Sequence, residues 1–100
     1  MQISFQPEAE AELAEARLWY ALQGEGLDDA LMQRIEEALQ RILDAPYAYQ
    51  VAYRQLRRAV LQQFPFAIFY LPTAEEIRVF AVYHSSRDPK KLRARISRER

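Results

Sequence analysis

Ile3 and Phe5 alternate with polar neighbours, the period of a short strand. Pro7 then suits the first position of a helix, where its missing N–H is no loss. Glu8 and Glu10 follow in the first turn, where carboxylates complement the helix dipole. Ala9, Leu13, Ala16 and Tyr20 recur at 4-3-4 spacing and form the buried stripe of this helix. Gly24 is expected to end it as a left-handed cap, and Gly24-Glu25-Gly26 makes a tight connection. A second helix is predicted from about Leu27 to Asp44, with Leu27, Leu31, Ile35, Ala38 and Ile42 as its stripe, Leu39 alongside and Pro46 beyond its end. Two amphipathic helices on a short glycine-rich link form an antiparallel hairpin.

The second half of the chain changes period. Pro46-Tyr47-Ala48-Tyr49-Gln50 reads as a loop, and residues 54–61 alternate as one strand. Residues 66–71 are apolar on both faces, which marks a central strand. Pro72-Thr73-Ala74-Glu75 is a turn, and residues 77–83 form the next strand, with Ile77, Val79 and Ala81 on one face and Phe80 and Val82 on the other. The order predicts an α+β fold: an N-terminal strand, then a helical hairpin packed on one face of a mostly antiparallel sheet. Asp88-Pro89 repeats the helix-start pattern. A short basic last helix follows, docked by Leu92 and Ile96, with Lys91, Arg95 and Arg98 along its exposed side. Residues 1–100 read as one domain.

Half the residues are hydrophobic, so a core can form without disulfide or metal staples. With no cysteine and one histidine, neither a thiolate nor a histidine zinc site is expected, and no cofactor motif appears. The N-terminus lacks the basic start and apolar run of a signal peptide, and no stretch approaches the roughly 18 apolar residues of a membrane span. A cytoplasmic location is expected. The zero net charge hides an asymmetry: residues 1–46 sum to −7 and residues 47–100 to +7. Arg87, Lys90, Lys91, Arg93, Arg95, Arg98 and Arg100 make the last 14 positions strongly basic, which points to a negatively charged partner. The carboxylates of the hairpin read as a solvated face.

The segments PEAEAELAEARLWY, LRRAV, FPFAIFY and VFAVYHSSRDP, in that order, resemble the RelE/ParE superfamily of bacterial toxins over nearly the whole chain. The likeness is closest to the ParE branch, where an arginine-bearing strand, Phe-Pro-aromatic and His-x-x-Arg-Asp-Pro recur. Here these are Arg57 and Arg58, Phe64-Pro65-Phe66, and His84, Arg87, Asp88 and Pro89. Leu92 departs from the tryptophan that relatives often carry, which bears on docking of the last helix. The resemblance implies a type II toxin with a cognate antitoxin, often acidic in its toxin-binding segment, and a role in growth arrest and plasmid maintenance. ParE-like members inhibit DNA gyrase through protein contacts; RelE-like members cut mRNA on the ribosome. A third reading is an inactive member that only binds its antitoxin.

The candidate residues divide along these lines. A ribonuclease needs a base, cations for the phosphate and an acid, for which His84, Arg57, Arg58 and Arg87 are the candidates. Against this, the tail lacks the extra tyrosine or histidine that several RNA-cutting relatives place near the C-terminus, and His84 has a structural alternative in packing at the strand end and bonding the next turn. Arg57 and Arg58 fall on opposite faces of one strand, and either has a helix carboxylate as an alternative partner. The aromatic residues of the strands are assigned to the core rather than to base stacking. Of the adjacent Trp19 and Tyr20, one is expected in the core and the other at the surface. For partner binding the candidates are Arg57, Arg58, Arg87, Lys90, Lys91, Arg93, Arg95 and Arg98, facing an acidic antitoxin, gyrase with its DNA, or RNA.

Overall fold

In the computed structural model, which describes residues 1–99, the chain runs β1 (Gln2–Phe5), α1 (Pro7–Gln23), α2 (Leu27–Asp44), β2 (Val51–Tyr53), β3 (Leu56–Val60), β4 (Phe66–Pro72), β5 (Glu76–His84) and α3 (Pro89–Glu99). Arg100, the last of the basic run, lies outside the described residues. The strands form one sheet in the order β1-β5-β4-β3-β2. β1 lies parallel to β5, and the other neighbours are antiparallel. The predicted α+β architecture is therefore present, with β4 and β5 at its centre.

The hairpin and α3 cover opposite faces of the sheet. On the hairpin side Leu31, Ile35, Ala38 and Ile42 of α2 and Ala9 and Ala16 of α1 meet Ala59, Ile68, Tyr70, Ile77, Val79 and Val82. On the other side Leu92 and Ile96 of α3 pack with Leu56, Phe80, Ala81 and Tyr83. β5 is thus buried without a break from Val79 to Tyr83, which explains its continuous apolar run. Across the hairpin Arg17 donates to Asp28 at 2.6 Å, and this guanidinium holds the Asp28 carboxyl below the ordinary carboxylate range.

Four local features differ from the sequence expectation. The backbone of Gly24 is extended (φ −179°); the left-handed residue is Gly26 (φ 84°), directly before α2, where a side chain would be strained. The strand expected over residues 54–61 is instead two, β2 and β3, joined by a turn at Arg54-Gln55. Arg54 takes the positive φ (53°) that glycine usually supplies in so short a hairpin, so no composition signal marks the turn. In β5 the pairing steps from Ala81↔Phe69 to Val79↔Tyr70, leaving Phe80 as an extra residue. This bulge turns Ala81 to the α3 side with Phe80, while Val82 rejoins Val79 and Ile77 on the hairpin side, so the expected division of faces is corrected. Finally, Arg95 does not line the exposed side of α3 with Lys91 and Arg98; only 15% of its side chain is exposed.

Tyr70 is fully buried in β4, and its hydroxyl donates to the carbonyl of Pro46 at 2.8 Å, fixing the loop after α2. Burial pushes its phenol from 10.0 to about 12. An unfolded tyrosine ionises first, so the stability is intact below pH 10 and is lost as the pH rises through about 12. Two pKa units correspond to about 3 kcal/mol. Urea melts from pH 8 to 12 should show this alkaline loss, and it should shrink in Tyr70→Phe, which itself costs about 1 kcal/mol at neutral pH. An unchanged alkaline limb in that variant would refute the assignment.

Candidate functional site

Because α3 is short, it covers only part of its face of the sheet. The cross-strand rows Val60–Ala67–Tyr83 and Arg58–Phe69–Ala81 run out from under it. Between these rows and α3 lies an open groove of about 480 Å³, with Val60, Ala67, Phe69 and Tyr83 in its lining and Leu92 and Arg93 on the helix wall. Val60 is 65% exposed, an apolar side chain with nothing packed over it. Tyr53, Arg58, Pro65, His84 and Arg87 also line it, with Tyr53 against α3.

The rim is cationic. Arg54 and Arg93 approach the Tyr53 ring at 5.4 and 5.7 Å, and the Tyr53 hydroxyl shares a hydrogen bond of 3.1 Å with Ser97 of α3. That bond first, and then the two guanidinium charges, lower the pKa of this phenol. Among the described residues neither Arg58 nor Arg93 has an acidic partner. Lys90, Lys91 and Arg98 are exposed on α3 outside the groove.

Arg87 and Arg95 are held from the other side of the sheet. β1 ends at Phe5, so the edge of β5 beyond Val79 has no neighbouring strand. Glu12 of α1 takes its place: Oε1 accepts from the Val82 backbone N–H at 3.0 Å, and Oε2 accepts from Arg87 at 3.0 Å and from Arg95 at 2.9 Å. Arg95 in turn donates to the Phe80 carbonyl at 2.6 Å. The backbone groups freed at the bulge are therefore satisfied by side chains, which also close the edge to strand addition. Arg87 additionally lies 4.5 Å above the Tyr83 ring.

The residues proposed from sequence are partly brought together. His84, Arg58 and Arg87 line the same groove. Arg57 points to the hairpin side, where it donates to the carbonyls of Tyr47 (3.1 Å) and Tyr49 (2.6 Å) and stacks over the Tyr47 ring. Its partners are backbone oxygens, not a helix carboxylate. The His84 ring packs edge-on against Phe66 at 4.9 Å, and its Nδ1 accepts from the Ser86 backbone N–H at 3.0 Å, so the neutral ring carries its proton on Nε2. The structure thus shows the strand-end packing and turn contact described for His84.

Two residues of α1 also belong to this end of the molecule. Glu12 is not part of the solvated carboxylate face expected of the hairpin, since its side chain is only 12% exposed. Trp19 is the surface member of the Trp19–Tyr20 pair and so the candidate anchor. Glu12 stands three residues after Ala9 and four before Ala16, inside the buried stripe, and a carboxylate there signals an internal partner. Trp19 is 55% exposed, whereas Tyr20 packs on Phe64 and Phe66. Trp19 borders a second cavity of about 340 Å³ between α1 and the end of the sheet, with Ala16, Tyr20, Phe66 and Val82 as its apolar lining. Glu12, Glu15, His84 and Arg87 stand around it. No helix among the described residues is long and apolar enough to cross a membrane.

Comparison with known proteins agrees with this architecture. Among solved structures, the chromosomal ParDE TA system from P. aeruginosa superposes with a TM-score of 0.68 at 20% identity, covering 84% of this chain and 95% of the other. The isolated E. coli RelE toxin superposes with a TM-score of 0.55 at 16% identity, covering 98% of this chain and 97% of the other. At these identities the two structures show the fold. No curated protein matches the chain. The family model described as the ParE toxin of the type II toxin–antitoxin system parDE matches residues 3–89, and the chain belongs to that family.

Proposed function

We propose that this chain inhibits DNA gyrase, and that a cognate antitoxin neutralises it by occupying the groove beside α3. The observation that carries this reading is the groove itself: an apolar floor left bare by α3, beside Arg58 and Arg93, which have no acidic partner among the described residues. An acidic antitoxin segment with apolar side chains satisfies both properties. Floor contacts supply affinity through buried area, and Arg58 and Arg93 steer association and fix orientation. Lys90, Lys91 and Arg98 stand on the outer side of α3 and remain available to gyrase or to its DNA.

The thin catalytic inventory weighs against RNA cleavage. Arg57 is turned away from the groove, Arg87 is tied to Glu12, and His84 is engaged by Ser86. Antitoxin-free protein added to gyrase is expected to stop supercoiling or to stabilise gyrase-cleaved DNA, with relief on adding antitoxin. Ribosome-dependent mRNA cutting that disappears in His84→Ala would replace this reading with the RelE-like one. Absence of growth arrest on induction, with tight antitoxin binding retained, would leave only a binding module.

A further inference from the structure

The groove and the second cavity adjoin. Phe66, His84 and Arg87 border both, so the two depressions together make a two-part trough around the end of the sheet where β4 begins and β5 ends. Its two ends differ in chemistry. The α3 end lies under Arg58 and Arg93, which need carboxylates. The α1 end is aromatic and bordered by the exposed Glu15, while Glu12 there is already engaged by Arg87 and Arg95. At the saddle between the ends, Arg87 is engaged by Glu12 and the His84 Nδ1 by Ser86, so little unbalanced charge remains there.

We propose that one continuous segment of the antitoxin fills the whole trough in a fixed direction. Its carboxylates lie at the α3 end against Arg58 and Arg93, and an apolar side chain seats at the α1 end against Trp19. The assignment rests on the antitoxin reading above and adds to it a second anchor point and a polarity. The polarity follows from charge and apolar lining together: Arg58 and Arg93 attract an acidic stretch at the α3 end, whereas the α1 end offers an apolar cavity beside the exposed carboxylate of Glu15. The α1 anchor follows from shape and exposure, since a half-exposed tryptophan beside an apolar cavity is the kind of surface at which binding energy concentrates.

Trp19 is the single tryptophan of the chain, so it reports on the α1 end directly. The full-length chain, labelled with fluorotryptophan, would be titrated with the cognate antitoxin while its fluorine resonance is followed. The resonance is expected to shift in step with binding measured by calorimetry. Trp19→Ala and Arg58→Glu should each weaken binding about tenfold or more, whereas Trp19→Phe should retain most of the affinity. Thermal melts of the free variants identify any that lose their fold. Tight binding with a silent Trp19 resonance and an unchanged affinity in Trp19→Ala would overturn the two-ended trough while leaving the antitoxin reading intact. Absence of any binding by the wild-type chain would overturn both.

Discussion

Replacing Glu12 by alanine is expected to lower the stability of the chain by about 3–5 kcal/mol, close to the whole margin of a small domain. The Glu12 and Arg95 side chains are only 12% and 15% exposed, so their attraction is poorly screened by solvent. Removing the carboxylate strands three donors at once: the Val82 N–H, Arg95 and Arg87. Arg87 is half-exposed and recovers its cost in water, so the loss comes from the other two. Arg95 already has one buried nitrogen, Nε, without a partner among the described residues, and without Glu12 it keeps only the Phe80 carbonyl. Glu12→Gln keeps an acceptor for Val82 and should fall about midway. Urea denaturation measures all three proteins, and a loss below about 1 kcal/mol for Glu12→Ala would show that solvent reaches the cluster and that the edge is not held this way.

The second large effect concerns the sheet's two faces. Ile68, at the middle of β4, is fully buried under the hairpin, and Ile68→Ala should cost about 4 kcal/mol, from lost transfer energy and the cavity left behind. Val60 is an apolar strand residue of similar type only eight positions earlier, yet it faces the open groove. Val60→Ser should change stability by less than about 0.5 kcal/mol. Under the proposed function, that substitution weakens antitoxin binding instead. The pair of measurements therefore separates residues that hold the fold from those held ready for a partner. Comparable losses at both sites would mean that the groove closes over Val60 in solution.

Much of this architecture was legible in the sequence. Pro7, the helical stripes, Pro46 and the Asp88-Pro89 start place all three helices where they are found, because each rests on a local steric or capping rule. Asp88 caps as expected, with its Oδ1 accepting from the Lys90 N–H at 2.9 Å. The features that escaped are those in which tertiary contacts override local preference. Arg54 carries a turn that glycine normally makes, and nothing in the Tyr53–Leu56 pattern interrupts the alternation of a strand. The Phe80 bulge shifts the side-chain parity of β5 by one residue, and an apolar run offers no polar position to reveal the shift. At the candidate site, strand alternation separated Arg57 from Arg58. Charge density alone grouped Arg95 with its exposed neighbours, although its position next to Ile96 on a docked helix places it against the sheet edge.

The parallel contact between β1 and β5 has a kinetic meaning. It joins residues 2–5 to residues 76–79, the first strand of the chain to the last. The central strands β4 and β5 also belong to the final third of the sequence, and both faces of the groove depend on them. The two helices of the hairpin, by contrast, are joined by only three residues and meet through local contacts. Closing β1 onto β5 spans some seventy residues, whereas β4 and β5 pair locally across the turn at residues 73–75, so the addition of β1 is the slow step in assembling the sheet. During synthesis the groove cannot exist until β5 has been made, so a chain interrupted before residue 76 carries the acidic hairpin without the groove.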